Sequence, residues 1–380
     1  IANPNNTKGD EFGFNVTELS NGNLVVTARS SDLITTSGDT STTVQNAGRV
    51  YLYKTDGELI STLSGSSAND SVGKGGVTAL TDGNYVVSSF EWKNDAAAKA
   101  GAVTWVGSMG LNGVVSASNS LVGNKADDRV GNFGVTALSN GNYVVASSFW
   151  KNGDVAQAGA VTWVDATNNS SRVGVVSTDN SLVGDHTNDF VGDGGITALK
   201  SNGNYVIRSS KWNGTRGAVT WGDGNGGTTT GVVSATNSLV GSTTDDRVGN
   251  ATINADDNSD GNGVIALSNG DYMVASSRWN NGATSNVGAV TWVDGSTGLT
   301  GTLSNTNSLI GAHAETRVGS KGIVELSDGN YVVVTPTWNK GNAPYNIGAV
   351  TWVNAVDSAS RVGVVSASNS LVGGTANDSV

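Results

Sequence analysis

A motif of roughly 60 residues recurs six times along this chain, and it limits the possible folds more than any other feature of the sequence. The clearest copy lies between Val135 and Val183 and reads VTALSNGNYVVASSFW, then AGAVTWV, then GVVSTDNSLVG. Four similar copies start at Val77, Ile196, Val264 and Ile323, and a more divergent copy starts at Val16. Such repetition predicts one small structural unit that is stacked many times, because a single unit cannot bury its own apolar face.

Each copy contains four short apolar runs separated by turn signals, which predicts a four-stranded antiparallel sheet. In the third copy, the four runs are Val135–Leu138, Asn142–Trp150, Gly159–Val164 and Gly174–Val183. The pair Asn140-Gly141 between the first two runs predicts a hairpin with a type I′ turn, since that turn needs positive φ at both central residues. The 53 glycines and 3 prolines of the chain also fit a turn-rich β protein.

We therefore expect an all-β fold, a β-propeller of four-stranded antiparallel blades, because a ring hides the apolar sheet faces against neighbouring blades. Six repeats are visible, so the ring would have six or seven blades. A linear β-repeat array, of which this chain would be a segment, is the alternative. The expected organisation is a single repeat domain over 1–380, with repeat units at about 12–73, 74–131, 132–192, 193–249, 250–319 (with an insertion at 250–263) and 320–380.

The first copy and the repeat boundaries carry a second pattern. The first copy reads GDEFGFNVTELSNGNLVVTA from Gly9 and AGRVYLY at Ala47–Tyr53, and the repeats are joined by a loop of the form Asp-x-[Val/Phe]-Gly, as at Asp128–Gly131. These residues resemble the FG-GAP repeat of integrin-α-type β-propellers. The later copies, with Val in place of Phe before the glycine, look more like repeats of large bacterial surface and haemagglutinin-like proteins. The resemblance implies a propeller fold and an extracellular setting, and it names no ligand.

Composition excludes several classes of partner. The formal net charge is −11 and the 21 basic residues are dispersed, so a surface that follows a phosphate backbone, and hence a nucleic-acid partner, is not expected. No apolar run is long enough for a membrane-spanning helix. The absence of cysteine fits a secreted or cell-surface protein. The chain opens without the charged and apolar segments of a signal peptide, so any leader is expected to lie outside this sequence or to have been removed.

Catalysis is not expected either. The chain has no cysteine nucleophile and no nucleophile elbow. Its two histidines, His186 and His313, share one position of the repeat, which indicates an exposed loop because other copies place unrelated residues there. Those residues are Ser67, Lys125, Thr243 and Thr375.

The ten tryptophans occupy two positions of the repeat. The third-run set is best explained by packing between sheets, since a repeat interface needs a large apolar area. It consists of Trp105, Trp163, Trp221, Trp292 and Trp352. The second-run set borders the variable loops, and we take it as the candidate ligand-binding set because exposed indole rings stack on sugars. It consists of Trp92, Trp150, Trp212, Trp279 and Trp338.

An insertion found in one copy, NADDNSDGNG at Asn254–Gly263, is the candidate metal site. Asp256, Asn258 and Asp260 stand at alternate positions before a glycine, which is how a calcium loop opens, and their hard oxygen atoms suit Ca²⁺. The twelfth position is Leu267 instead of a bidentate acid, so a solvated acidic loop is the competing interpretation. Calcium is the one cofactor that the sequence suggests.

The sequence thus predicts a non-enzymatic extracellular structural or adhesive module of a bacterial surface or secreted protein. Its partner would be a protein or a glycan on a cell surface, bound through the variable loop after the second run. A carbohydrate-binding propeller lectin that uses the second-run tryptophans is one alternative. A self-associating subunit of an extracellular filament or sheath is the other.

Overall fold

The computed structural model of this protein describes residues 1–5, 9–37, 39–200, 202–251, 261–341, 346–375 and 377–378. The described chain is all-β and is built of repeated sheets of four or five strands, as the repeat pattern predicts. Its helical segments are short turns at Thr81–Gly83, Asn169–Arg172, Trp212–Thr215 and Ser358–Arg361. None of the described helices has the length and apolar character needed to cross a membrane. Contacts between residues divide the chain into two compact units, Ile1–Val183 and Gly184–Val380.

The first unit contains three sheets whose main strands run antiparallel to their neighbours. The first repeat provides four strands of the first sheet, β1 (Phe12–Glu18), β2 (Leu24–Ala28), β5 (Arg49–Tyr53) and β6 (Leu59–Ser64). Between β2 and β5, the strands β3 (Leu33–Ser37) and β4 (Thr40–Val44) form a separate hairpin. The second repeat provides β7 (Val77–Ala79), β8 (Tyr85–Ser89), β9 (Ala102–Val106), β10 (Gly113–Val114) and β11 (Leu121–Val122). The third provides β12 (Val135–Ala137), β13 (Tyr143–Ser147), β14 (Ala160–Val164), β15 (Gly174–Val175) and β16 (Ser181–Val183).

The second unit repeats this plan three times. The fourth repeat provides β17 (Gly195–Ala198), β18 (Tyr205–Ser209), β19 (Ala218–Gly222), β20 (Gly231–Val232) and β21 (Leu239–Val240). The fifth provides β22 (Val264–Ala266), β23 (Tyr272–Ser276), β24 (Ala289–Val293), β25 (Gly301–Thr302) and β26 (Leu309–Ile310). The sixth provides β27 (Ile323–Glu325), β28 (Tyr331–Thr335), β29 (Ala349–Val353), β30 (Gly363–Val364) and β31 (Leu371–Val372).

The fourth predicted run is two strands, so the prediction of one strand over Gly174–Val183 is wrong. β15 pairs in parallel with β11 of the preceding sheet, and β16 returns to pair with β14 of its own sheet. The cause is a turn at Asn180, whose Oδ1 accepts the N–H of Ser177 at 2.9 Å and whose Nδ2 donates to the carbonyl of Val175 at 2.9 Å. We call β10, β15, β25 and β30 the linking strands, because they pair in parallel with β6, β11, β21 and β26 of the preceding repeats.

The predicted type I′ geometry, with positive φ at both central residues, is present at Asp82-Gly83, where φ is 57° and 74°, but the hairpin turn of the third repeat differs from it. In the third repeat, Leu138 N–H donates to the carbonyl of Asn142 at 2.8 Å and Gly141 N–H donates to the carbonyl of Leu138 at 3.1 Å, so the loop has three residues. Gly141 has a φ of 90°, whereas Asn140 is absent from the residues with positive φ. The side chain of Asn140 instead accepts the N–H of Asn142 at 3.1 Å. This is a type I turn closed by a glycine bulge, a loop that needs positive φ at one residue only.

The apolar core lies between consecutive sheets. Val25, Leu52 and Leu63 of the first sheet pack in one buried cluster with Tyr85 and Val106 of the second. Equivalent clusters join the second and third repeats in the first unit, and the fourth, fifth and sixth repeats in the second unit. Alternate residues of each strand serve the two faces, so a sheet is buried on both sides where it has two neighbours.

The outer face of the first sheet is closed by the chain itself. Phe12, Tyr51 and Tyr53 form an aromatic group with ring centroids 5.7, 6.4 and 6.3 Å apart. The Tyr53 hydroxyl donates to the carbonyl of Ala2 at 2.9 Å, which fixes the N-terminal residues over this face. Burial raises the pKa of Tyr53 to about 12. The first repeat also lacks a linking strand, because β5 and β6 are joined by a tight turn.

Candidate functional site

The Asp-x-[Val/Phe]-Gly loops are organised by buried carboxylates. Asp70 is fully buried, and its Oδ2 accepts the N–H groups of Ser66 and Ser67 at 2.9 and 2.8 Å. Its Oδ1 accepts the N–H of Lys93, in the next repeat, at 3.0 Å. Burial raises the pKa of the Asp70 carboxyl, although the three backbone donors lower it. The same bonds to the loop and to the next repeat occur at Asp128, Asp189 and Asp246.

These bonds show that the repeated aspartates act as turn formers. Each one holds its own loop closed and also ties that loop to the segment after the second strand of the following repeat. The two segments are therefore fixed next to each other along one edge of the sheets.

The residue after each aspartate has left-handed backbone geometry. It has a φ of 48° at Arg129 and 47° at Phe190. A non-glycine residue with positive φ is uncommon, and such conformations persist only where the surroundings hold them. Here the N–H of Arg129 donates to the carbonyl of Lys99 at 3.0 Å, which ties this residue to the neighbouring loop. The side chain at this position lines a pocket in both repeats.

The first of these, the Phe149 pocket, has a volume of about 390 Å³ and is lined by Asp127, Arg129, Phe149, Lys151, Ala156 and Gln157. The guanidinium of Arg129 lies 5.6 Å from the centre of the Phe149 ring. Lys151 is held from two sides, because its N–H donates to Asp128 at 3.3 Å and its Nζ donates to the carbonyl of Ala126 at 2.6 Å. The pocket thus combines a half-buried aromatic ring, two cations, a carboxylate and an amide.

The second, the Phe190 pocket, occupies the equivalent place one repeat later, in the second unit. It has a volume of about 510 Å³ and is lined by Thr187, Asn188, Phe190, Lys211, Gly214 and Thr215. Here the ring and the cation have exchanged positions, since the aromatic residue follows Asp189 and the lysine precedes Trp212. The Nζ of Lys211 lies 4.9 Å from the centre of the Phe190 ring and 3.5 Å from a carboxylate oxygen of Asp193. The same pairing of ring and cation is therefore made by different residues.

The five second-run tryptophans, which the sequence suggested as a ligand-binding set, are buried. Trp92, Trp150, Trp212, Trp279 and Trp338 are between 3 and 7% exposed. Stacking on a sugar needs an exposed ring face, and these side chains do not offer one in this structure. Their neighbours in sequence, Phe149 and Lys211, are the residues that reach the pockets.

Three of the third-run tryptophans, Trp105, Trp221 and Trp292, lie beneath the loop that leads to the next linking strand. The guanidinium of Arg172 stacks 3.9 Å above the Trp105 ring, and that of Arg361 stacks 3.6 Å above the Trp292 ring. A cavity of about 300 Å³ opens beside Trp105, but Arg172 covers the ring face. Trp352 is the exception in this set, because 52% of its surface is exposed.

Metal-binding residues give no defined centre among the residues that the structure describes. Asp185, His186 and Asp189 lie close enough to share an ion. However, Asp189 already accepts backbone N–H groups from Asp185, His186 and Asn213 at 3.1, 2.9 and 2.8 Å, so its oxygen atoms are in use. The predicted calcium ligands Asp256, Asn258 and Asp260 lie outside the described residues. Calcium binding by them stays a prediction.

Sequence reasoning missed Arg129, Phe149, Phe190 and Lys211. A signal was present, because an aromatic or charged residue recurs after the loop aspartate and before the second-run tryptophan. Only the structure shows that these two positions face each other across repeats, through the bonds that the buried aspartates make.

Comparison with protein families agrees with this repeat structure. The family model described as "Repeat of unknown function (DUF5650)" matches the chain at residues 79–132, 137–193, 199–250, 266–320 and 325–380. These ranges include both pockets and leave out the first copy, whose resemblance to FG-GAP repeats stays a prediction. No curated protein matches the chain. Since the matched ranges cover well over half of the sequence, the chain belongs to the DUF5650 repeat family.

Proposed function

We propose that this protein is a non-enzymatic extracellular structural or adhesive module of a bacterial surface or secreted protein, which binds a protein or a glycan through pockets of the kind found at Phe149 and at Phe190. The observation that carries this proposal is the recurrence of one pocket design in two repeats. A ring, a cation and a hydrogen-bonding rim suit hydroxyl-rich or acidic surface groups of a partner. An array of such pockets would bind a repeating partner with an avidity greater than that of one pocket.

The scaffold fits this role because neighbouring repeats share strands and hydrogen bonds. Linking strands add a fifth strand to the preceding sheet, and buried aspartates bond to the following repeat. Repeats tied in this way resist separation, which favours a load-bearing or spacing function.

The repeat plan fits both a β-propeller and a linear β-repeat array, and a solution scattering envelope distinguishes the two. A compact disc would support the ring, and an elongated rod would support the array.

Binding can be tested with the full chain applied to a printed glycan array and to a panel of purified extracellular-matrix proteins. The test variant carries Phe149→Ala and Phe190→Ala together, and we expect it to lose at least tenfold in apparent affinity for whichever probe binds. The matched control is Met109→Ala, which removes an 83% exposed apolar side chain far from both pockets in sequence. It should bind as the unchanged protein does.

The outcomes separate the candidate functions. Binding confined to glycans and lost in the double variant identifies a lectin that uses the phenylalanine pockets instead of the tryptophans. Binding that persists unchanged in the double variant refutes the Phe149 and Phe190 pockets as the recognition sites. Growth of long assemblies from the isolated chain, with no ligand bound, would favour the filament or sheath alternative.

A further inference from the structure

The sheet of the sixth repeat differs from the preceding one in having four strands instead of five among the residues that the structure describes. In the preceding repeats, the edge of the last strand accepts hydrogen bonds from a linking strand. Gly301 and Leu303 N–H donate to the carbonyls of Ser238 and Val240 at 3.0 Å each, and Gly363 and Val365 N–H donate to those of Ser308 and Ile310 at 3.0 and 2.9 Å. The carbonyls at the equivalent positions belong to Ser370 and Val372, beside β31.

The apolar side chains on the same side of this sheet are also uncovered. Leu371 is 69% exposed, whereas the equivalent Leu239 and Leu309 are 1 and 2% exposed. Val332 and Val350 are only partly buried, although the equivalent valines of earlier repeats are fully buried. With Trp352, these residues form what we call the C-terminal face, which consists of Val332, Val350, Trp352 and Leu371.

The composition of this face matches that of the buried faces. The sixth repeat keeps Val, Trp and Leu at the positions where the earlier repeats use Val or Met, Trp and Leu inside the core. An apolar surface left open on a soluble protein is unfavourable and commonly marks a contact site. The opposite end of the repeat series is closed by the aromatic group around Tyr53, so the two ends are not equivalent.

We infer that the C-terminal face is an acceptor surface for one further repeat of the DUF5650 type, added in the same direction as the existing ones. Such a repeat would supply a linking strand of the form Gly-Val or Gly-Thr, in which the N–H of the glycine bonds to the carbonyl of Ser370 and the N–H of the residue after the pair bonds to that of Val372. The loop before that strand would cover Trp352, as Arg361 and its loop cover Trp292. The face would then take the geometry of the contacts between the fourth, fifth and sixth repeats.

The first repeat of a second copy does not fit this acceptor. It has no linking strand, since β5 and β6 are joined by a tight turn, and its outer face is already occupied. The linking strands described in the later repeats are engaged within their own chain. The occupant is therefore a repeat of this type whose linking strand is free to pair.

The test uses the full chain lengthened by a second copy of residues 320–380 after Val380. Hydrogen exchange of the segment 350–373 is compared in the original and the lengthened chain, together with their melting temperatures. We expect exchange at Leu371–Gly373 to slow at least tenfold and the melting temperature to rise by several degrees in the lengthened chain. The control carries the same extension with Val365→Pro in the added copy only, which removes one of the two donating N–H groups.

Slow exchange in the lengthened chain but not in the proline control supports the inference. Equal exchange in all three chains overturns it. It is also overturned if the original chain sediments as a dimer in which Leu371 is already protected, because a second copy would then cover the face. None of these measurements involves a ligand, so their outcome is independent of the proposed binding function.

Discussion

Replacing Asp70 with alanine removes the acceptor that joins the first repeat to the second. The backbone N–H groups of Ser66, Ser67 and Lys93 then lose their acceptor. In the intact protein, these nitrogens lie 2.9, 2.8 and 3.0 Å from the Asp70 carboxylate oxygens. The carboxylate is fully buried, so water cannot replace it without opening the loop. The variant therefore reports directly on how strongly the loop ties neighbouring repeats together.

The size of the effect follows from two opposing contributions. A hydrogen bond to a charged acceptor contributes about 1.5–3 kcal/mol, and three are lost. The variant also no longer has to bury a carboxylate, a cost that is visible in the raised pKa of Asp70. Because the second contribution offsets part of the first, we expect a net loss smaller than the sum of the three bonds, about 3–4 kcal/mol of the free energy that holds these segments together.

Native-state hydrogen exchange of the full chain measures this loss where it occurs. The amides of Ser66, Ser67 and Lys93 should exchange roughly 100- to 1,000-fold faster in the variant, since a tenfold change corresponds to about 1.4 kcal/mol. The matched control is Asp378→Ala, since Asp378 accepts the N–H groups of Gly374 and Thr375 at 2.7 Å each but is exposed. It should leave the melting temperature unchanged. If exchange at Lys93 stays as slow as in the intact protein, the bond between repeats contributes nothing and our reasoning is refuted.

Three further predictions concern packing, pH and metal. Gly101 has a φ of +81°, and a Cβ atom added there would lie 2.2 Å from the Val130 nitrogen. Gly101→Ala should therefore lower the free energy of unfolding, measured with urea, by more than about 3 kcal/mol. The control is Gly134→Ala, where φ is +100° but no atom lies within 4 Å of the added Cβ, and it should lower the free energy of unfolding by only about 1–2 kcal/mol. Equal losses in the two variants would contradict the prediction that close packing at Gly101 excludes a side chain. Burial raises the pKa of Tyr53 from 10.0 to about 12, so the folded state keeps a proton that the unfolded state releases and stability falls as the pH rises through that window. The melting temperature of Tyr53→Phe should therefore decrease less steeply between pH 10 and pH 12 than that of the intact protein. The same slope in both proteins would contradict this prediction. If the insertion binds calcium, a chelator should lower the melting temperature of the intact protein but not that of Asp260→Ala.

The first three strands of each repeat were predictable because their signals are local. In the third repeat, alternating apolar residues place β12, β13 and β14 within three residues of the predicted limits. The division of the fourth run was not predicted, although its cause is local too. The amide of Asn180 bonds to backbone groups on both sides and turns the chain between β15 and β16. The apolar residues on either side of this turn have the same spacing as those of one continuous strand, so the pattern does not indicate that the chain turns here.

The environment of the tryptophans could not be predicted from one repeat alone. Trp150 lies in a turn after β13, where its N–H donates to the carbonyl of Ser147 at 3.0 Å, and it joins the core cluster between the second and third repeats. The burial of Trp105 depends on Arg172, which belongs to a loop whose length varies among the repeats. The sequence of one repeat does not show which residues of the next repeat it contacts. The pockets at Phe149 and Phe190 were missed because their residues come from two repeats, although the positions themselves recur in the sequence.

The loop at Thr316 shows that the tie between repeats depends on geometry more than on the aspartate itself. Thr316 stands where the other loops have a buried aspartate, and its hydroxyl donates to the carbonyl of His313 at 2.6 Å, which closes the loop. Without a carboxylate, the loop cannot accept the backbone N–H of the next repeat. The next repeat still donates to this loop, but the acceptors are backbone carbonyls: the Thr337 hydroxyl donates to the carbonyl of Thr316 at 2.8 Å and Asn339 Nδ2 donates to that of Ala314 at 3.3 Å. Neutral bonds of this kind are weaker than bonds to a carboxylate, so the junction of the fifth and sixth repeats should open before the junction at Asp246.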